Sequence, residues 1–261
     1  PRDISKPRAE QAREVHENIA LALKQAGMDF SNVVRTWFYL DNFLDWYGEF
    51  NEVRTSFFKD NGIFSELVPA STGIGAKNAG GAALAACAYA VKPKKGKAVT
   101  GKSLGVIARR GGHARPSVNP SAAATFQKTA VFAVKSPLQC EAINYKSAFS
   151  RAIEIKTSGV RKLLMSGTAS IGPDGESLHA GDINKQIALT MKIAGAILKS
   201  RGMSWQNVTR AILYFKDKGQ APAFKRYCRS NGIPEFPAVV AYASVCRDEL
   251  LFELELDAVV S

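Results

Sequence analysis

The segment from Gln11 to Asn42 recurs from Gln186 to Asp217 in the same register, without a gap, at a constant offset of 175 residues. Leu23, Lys24, Gly27, Met28, Asn32, Val33, Arg35 and Tyr39 return as Leu198, Lys199, Gly202, Met203, Asn207, Val208, Arg210 and Tyr214. A chain that writes one unit twice folds as two copies of one structure, and so long a period means a duplicated domain, not a solenoid of short repeats. With 261 residues, 46% of them hydrophobic, there is material for two cores of ordinary domain size.

Within each copy the hydrophobic pattern changes period once. Val15, Ile19 and Leu23, and in the second copy Ile187, Met191, Ala194 and Leu198, stand at helical spacing. Gly27 and Gly202 come next, where glycine can adopt the left-handed geometry that ends a helix. The residues Val33 to Leu40 and Val208 to Phe215 are aromatic and branched and predict strands. A second helix (Phe50 to Lys59; Ala223 to Arg229), an Asn-Gly-Ile turn (Asn61 to Ile63; Asn231 to Ile233) and a Pro-Ala pair (Pro69-Ala70; Pro237-Ala238) complete the shared order. The second copy alone opens with a hairpin, Ala152 to Lys156 and Lys162 to Ser166 around Ser158-Gly159. The predicted class is α+β, each copy a sheet backed by two helices. The domains are 1–91, lacking the opening hairpin, a linker and lid segment 92–149, and 150–261.

The net charge of +12 is concentrated in that linker. No acidic residue occurs between Glu66 and Glu141, and ten of the basic ones lie from Lys92 to Lys135. A solvated basic loop and a non-specific nucleic-acid contact are both open readings. Cys87, Cys140, Cys228 and Cys246 lie far apart without C-x-x-C spacing, so free thiols are expected. The three histidines are scattered, which argues against a histidine metal site. No apolar run approaches the roughly 18 residues needed to span a bilayer, and no secretion signal is evident near Pro1, so a cytoplasmic protein is expected. Gly96 to Ser103 spells Gly-Lys-Ala-Val-Thr-Gly-Lys-Ser and matches the phosphate-loop pattern. Pro93 separates it from the apolar run upstream, and Gly111, Gly112 and Pro116 interrupt the residues downstream, so the required strand and helix are not predicted and no cofactor is expected.

The order of hairpin, Ser-Gly-Thr-Ala-Ser (Ser166 to Ser170), Gln186, Gly202, Tyr214, Pro-Ala and a final Glu-x-Glu (Glu253, Glu255) resembles the YjgF/RidA superfamily, best over Ser150 to Val260 and more weakly over Gln11 to Val91. That resemblance implies a chorismate-mutase-like domain, usually a homotrimer with ligand clefts between units, among whose members are imine and enamine deaminases and proteins named endoribonucleases or translation inhibitors. The deaminases hold a substrate carboxylate with an arginine directly after Pro-Ala; here Ser71 and Val239 stand there. In the first copy Leu84-Ala85-Ala86-Cys87 replaces the terminal Glu-x-Glu, so one copy reads as active and the other as structural.

A narrower resemblance is carried by six motifs in order: Arg35-Thr36-Trp37, Pro69 to Gly75, Ser150 to Ala152, Ser166 to Ser170, His179 to Asp182, and Val245 to Glu253. Together they look like the chorismatases, which cleave the enolpyruvyl ether of chorismate to pyruvate and a cyclohexadiene diol or a hydroxybenzoate. The resemblance places the catalytic acid on Glu253 and a product-directing pocket residue on Cys246.

Breaking a vinyl ether needs a proton delivered to carbon, which a carboxylic acid can supply if burial keeps it protonated near neutral pH. Strand phase sets Phe252, Leu254 and Leu256 on one face and Glu253, Glu255 and Asp257 on the other. Three acids on one face fit a solvated surface as readily as a catalytic one. For a small anionic substrate the candidate contacts are Tyr145, Arg151, Gly167, Thr168, His179, Tyr214, Lys216, Arg226, Cys246 and Arg247. His179 and Asp182 fit a loop pair or helix N-cap as well as a ligand contact. The competing readings are a divergent imine or enamine deaminase and a non-catalytic ligand- or RNA-binding regulator, and a homo-oligomer, a trimer by resemblance, is expected.

Overall fold

The computed structural model describes residues 1–92 and 129–261. The phosphate-loop-like octapeptide and most of the basic run lie outside the described residues. In the first copy the elements run α1 (Arg8–Gln25), β1 (Val33–Leu40), α2 (Phe43–Asp60), β2 (Ala70–Gly75) and β3 (Leu84–Ala90). After β4 (Ala130–Val134) and the hairpin β5 (Ala152–Thr157) and β6 (Val160–Ala169), the second copy repeats that order. It runs α3 (Ile183–Ser200), β7 (Val208–Phe215), α4 (Ala221–Ser230), β8 (Ala238–Tyr242) and β9 (Phe252–Val260).

The duplication is visible in topology. β1 pairs parallel with β2 and antiparallel with β3, and β7 pairs parallel with β8 and antiparallel with β9. The sheets run β2-β1-β3 and β4-β5-β6-β9-β7-β8, the second being the first extended by the hairpin and β4.

Local devices repeat as well. Gly27 and Gly202 hold φ of 68° and 65°. Behind them Met28 N–H donates to Leu23 O (2.8 Å) and Met203 N–H to Leu198 O (3.0 Å), the same Schellman closure twice. Each β1-type strand is entered through a capping box, Asp29 with Asn32 and Ser204 with Asn207. Buried Gln11 takes its side-chain oxygen to Ala83 N–H and its amide to Ile4 O and Lys6 O. Gln186, its repeat, takes Leu251 N–H and gives to His179 O and Glu249 O. Each glutamine ties the loop before its helix to the loop before its last strand.

α1 and α2 cover one face of the first sheet through Ala12, Val15, Phe38, Leu40, Phe43 and Phe50. α3 and α4 cover the second through Ile187, Met191, Ala194, Leu213, Phe224, Leu254 and Leu256. The uncovered faces turn toward each other. Val34 and Ala70 pack on Ile153, Ile155 and Leu164, while Ile74 joins Ala169, Ile171, Tyr214, Val245 and Leu250. Polar bonds cross at the same places: Ser71 N–H to Ser166 Oγ (2.9 Å), Gly167 N–H to Thr72 Oγ1 (3.1 Å) and Gly75 N–H to Ser244 O (2.7 Å).

Three features differ from the sequence reading. α2 starts at Phe43, a turn and more before the predicted Phe50. Residues 130–134, read as linker, form β4, because the outer edge of β5 gives that short run a pairing partner that local pattern cannot reveal. The acidic face of β9 is not solvated: Glu253, Glu255 and Asp257 are 4%, 0% and 8% exposed, covered by the first copy's sheet. The four cysteines are unpaired.

Candidate active site

Buried carboxylates must be paired, or else neutral. Along β9 both solutions occur at successive same-face positions. Glu255 is gripped from both copies: Arg35 at 2.9 Å and the Trp37 indole N–H at 3.1 Å from the first, Arg210 at 2.6 Å from the second. Burial works to raise its pKa, yet Arg35, Thr72 and Arg210 together outweigh it and hold Glu255 below the ordinary carboxylate range. Asp257 extends the cluster, 3.5 Å from Arg35 and 3.6 Å from Lys162.

Glu253 has no such support. Burial first, and the neighbouring Glu255 charge second, push its pKa up to about 8, so it is a carboxylic acid at neutral pH. Register places Glu253 opposite Tyr214 on β7. On its other side the β6 ladder skips between Met165 and Thr168, and Gly167 sits in that irregularity. A Cβ there would stand 2.0 Å from Glu253 Oε1 and 3.3 Å from Thr72 Cγ2, so only glycine leaves room for the carboxyl.

The acid opens on a cavity of about 260 Å³ between the copies. The second copy and the segment before it contribute Tyr145, Phe149, Arg151, Gly167, Cys246, Arg247 and Glu253 to its lining. The first copy contributes Tyr47, Asn51 and Arg54 of α2 with Ser71 and Gly73 of β2. The first copy, read from sequence as structural and as wall of the pocket, thus also brings a cation to the cavity.

That cation, Arg54, is 2% exposed. Its guanidinium donates to Asn51 Oδ1 at 2.6 Å and to Ser71 Oγ at 3.4 Å, and its Nε is buried without a partner. Burial without a counter-charge lowers its pKa. Arg151 is equally buried, with both bonds directed to Cys140 O (2.9 and 2.6 Å). Arg247 holds Ser177 Oγ at 3.0 Å and Gly175 O at 2.7 Å. The Tyr145 ring lies beside both, 5.3 Å from the Arg151 guanidinium and 5.6 Å from that of Arg247. Among the described residues none of these three arginines forms a salt bridge with a carboxylate.

Six of the sequence-derived site residues thus share the cavity: Tyr145, Arg151, Gly167, Cys246, Arg247 and Glu253. Burial, with Glu253 adding, pushes the Cys246 thiol up to about 12, the state of a neutral pocket wall and not of a nucleophile. Thr168 lies beside the cavity but turns its hydroxyl to Ser166 O (2.9 Å), and Tyr214 is buried in the cluster beneath the acid. His179, with φ of 61°, uses its carbonyl to accept from Gln186 at 3.1 Å. Asp182 caps α3 through Lys185 N–H. Lys216 is tied to Asp248 at 2.6 Å, and Arg226 is exposed on α4; neither lines the cavity.

Tyr47, Asn51 and Arg54 escaped the sequence reading, and Ser71 and Gly73 entered it only as the residue after Pro-Ala and as part of the Pro69 to Gly75 motif, not as cavity residues. One signal was available: Arg54 falls four residues after Phe50 and three before Phe57, a charge inside the apolar stripe of its helix. Among the described residues no cluster of histidine, cysteine and acid side chains has metal-binding spacing, and no helix is long and apolar enough to cross a membrane.

Two copies of one α+β unit set face to face, with a neutral acid and unpaired arginines at their junction, make this a tandem α+β protein with its cavity between the copies. Residues 3–85 match the family model described as Endoribonuclease L-PSP, so the match falls on the copy whose resemblance is weaker by motif. The whole chain is similar to a crystal structure of a chorismatase, with a TM-score of 0.68 and 18% identity over 96% of this chain and 70% of that one. It is also 26% identical over 247 residues to a 3-hydroxybenzoate synthase of Streptomyces hygroscopicus, covering 87% of this chain. The chain spans 63% of the length of that curated relative.

Proposed function

We propose that the chain is a chorismate-processing enzyme of chorismatase type, which cleaves the enolpyruvyl ether to release pyruvate together with a cyclohexadiene diol or a hydroxybenzoate. The observation that carries this reading is the pairing, in one cavity, of a buried carboxyl that keeps its proton with three arginines that have no carboxylate of their own. Chorismate carries two carboxylates and a vinyl ether. Guanidinium groups recognise carboxylates by charge-assisted, bidentate hydrogen bonds, and a dianion would replace the counter-charge that Arg54, Arg151 and Arg247 lack. Glu253 would then protonate the terminal carbon of the enolpyruvyl group. The ether carbon becomes an oxocarbenium centre; water adds to it and its released proton restores Glu253. The resulting hemiketal breaks its bond to the ring oxygen, which takes up a proton and leaves as the ring hydroxyl while the three-carbon fragment leaves as pyruvate.

A second reading has one observation in its favour. Ser71 stands where a deaminase has its carboxylate-binding arginine, and Arg54 reaches Ser71 Oγ, returning a guanidinium to that neighbourhood from α2. An imine or enamine acid could bind there. We further propose a homo-oligomer, since β8 is an edge strand with Val239, Val240 and Tyr242 exposed, whereas its counterpart β2 is covered by β6.

Incubation with chorismate and enzymatic measurement of pyruvate tests the main reading. Release is expected from the parent chain and a loss of about 100-fold or more from Glu253→Gln. No release above background from the parent chain would sink it, and accelerated decay of 2-aminoacrylate-type intermediates would favour the deaminase.

A further inference from the structure

The proton on Glu253 is a condition of the proposed chemistry, and burial is only one of its causes. The other is a second carboxyl at the next same-face position of the same strand. Two adjacent buried carboxyls cannot both ionise at low cost, so whichever one is better paired takes the charge and leaves the proton to its neighbour.

The pairing is strongly one-sided. Glu255 faces Arg35, Trp37 and Tyr39 of β1, Thr72 of β2, and Arg210 and Tyr214 of β7, with Asp257 beside it sharing both arginines. Arg35 is fully buried and spans the junction, donating to Met165 O at 2.6 Å and to Thr72 Oγ1 at 3.1 Å while holding Glu255. Arg54, Arg151 and Arg247 share the cavity with Glu253, but among the described residues none forms a salt bridge or hydrogen bond with it. The ionisable groups that bear on it are Tyr47 of α2, Tyr214 of β7, Cys246 of the loop before β9, and Glu255. Tyr47, Tyr214 and Cys246 are neutral near pH 7 and offer it no counter-charge.

We propose that Glu255 is a positioning residue for the acid: its fixed negative charge, locked by Arg35 and Trp37 from the first copy and Arg210 from the second, keeps the proton on Glu253. The first copy thereby acts on chemistry carried by a strand of the second. Its own strand holds no equivalent pair. Tyr39 repeats as Tyr214, and in register Tyr39 meets Ala85 where Tyr214 meets Glu253; Trp37 likewise meets Cys87 where Ile212 meets Glu255. The duplication has divided the work, the acids staying on β9 and their principal clamp on β1.

The inference deepens the reading of Glu253 as the catalytic acid, and its test needs no turnover. Protein labelled with δ-¹³C glutamate is titrated by NMR, and the Glu253 resonance is assigned by its loss in Glu253→Gln. In Glu255→Gln, which keeps the side-chain volume, the Glu253 midpoint should fall by about one pH unit or more. Arg210 is partly exposed, so Arg210→Gln is the safer variant for folding. There the midpoint should rise, because the charge beside Glu253 loses part of its compensation. Glu255→Asp, which restores the charge, should return the midpoint toward that of the parent chain. An unchanged midpoint in Glu255→Gln, or an unchanged or lower one in Arg210→Gln, overturns the proposal. Absence of pyruvate release with these shifts present would remove the chorismate reading and leave the proton partition standing.

Discussion

At the scale of single residues, Glu253 shows why strand phase could not decide between a surface and a site. Alternation along β9 established that Glu253, Glu255 and Asp257 share a face; what covers that face comes from β1, more than two hundred residues earlier in the chain. The folded state holds Glu253 neutral up to about pH 8, while the unfolded chain ionises it near 4.5. Between those values the unfolded state has bound fewer protons, so stability falls as pH rises through this window. Removing the charge removes that cost. Glu253→Gln should therefore raise the melting temperature at pH 8 relative to the parent chain, with little difference at pH 4.5, while turnover is lost. A side chain held at a cost to stability is the pattern expected of the proposed catalytic acid. Thermal unfolding at the two pH values, monitored by circular dichroism, decides it; equal melting temperatures at pH 8 would mean that Glu253 is ionised or solvated in the fold.

At the scale of elements, the sequence was most informative where the determinants are local. The predicted strands 33–40 and 208–215 match β1 and β7, and Gly27 and Gly202 close their helices as glycine spacing requires. The missed start of α2 and the missed β4 depend on packing partners instead: Phe43 is buried against the first core, and β4 exists through β5. The irregularity in β6 belongs to the same class. Gly167 was legible as part of Ser-Gly-Thr-Ala-Ser, but its role depends on a carboxyl entering from β9. The obstacle to a Cβ there is the far end of a flexible side chain, so Gly167→Ala should fold, with a loss of about 1–3 kcal/mol. It should also push Glu253 out of its place. A kcat lowered more than about 10-fold with KM nearly unchanged is expected, since the lost interaction is made in the transition state. A parental kcat in a folded Gly167→Ala protein would show that the acid does not need this seat.

At the scale of the whole molecule, duplication has been used to build one cavity from two different halves. Each half retains the helix, the strand and the glutamine clamp, because these close its own core. The side chains facing the junction have diverged: β9 keeps carboxyls where β3 has Ala85, Cys87 and Tyr89, and α2 keeps Arg54 where the repeat spacing puts Phe224 in α4. Phe224 packs into the second core, and Arg54 looks into the cavity. If the cavity takes a carboxylate substrate, an arginine from the half without acids must contribute to binding it. Arg54→Gln keeps a donor toward Asn51 or Ser71 but removes the charge, so KM should rise by about 10-fold or more, as expected when one charged hydrogen-bonding partner of a buried anion is lost. Because Arg54 lies outside the β9 carboxyl pair, the pH at which activity declines should stay within a few tenths of a unit. That split separates binding from proton control: Arg54→Gln should move KM and leave the pH profile, whereas Glu255→Gln should move the profile. An unchanged KM in Arg54→Gln would return the first copy to a purely structural role at the cavity.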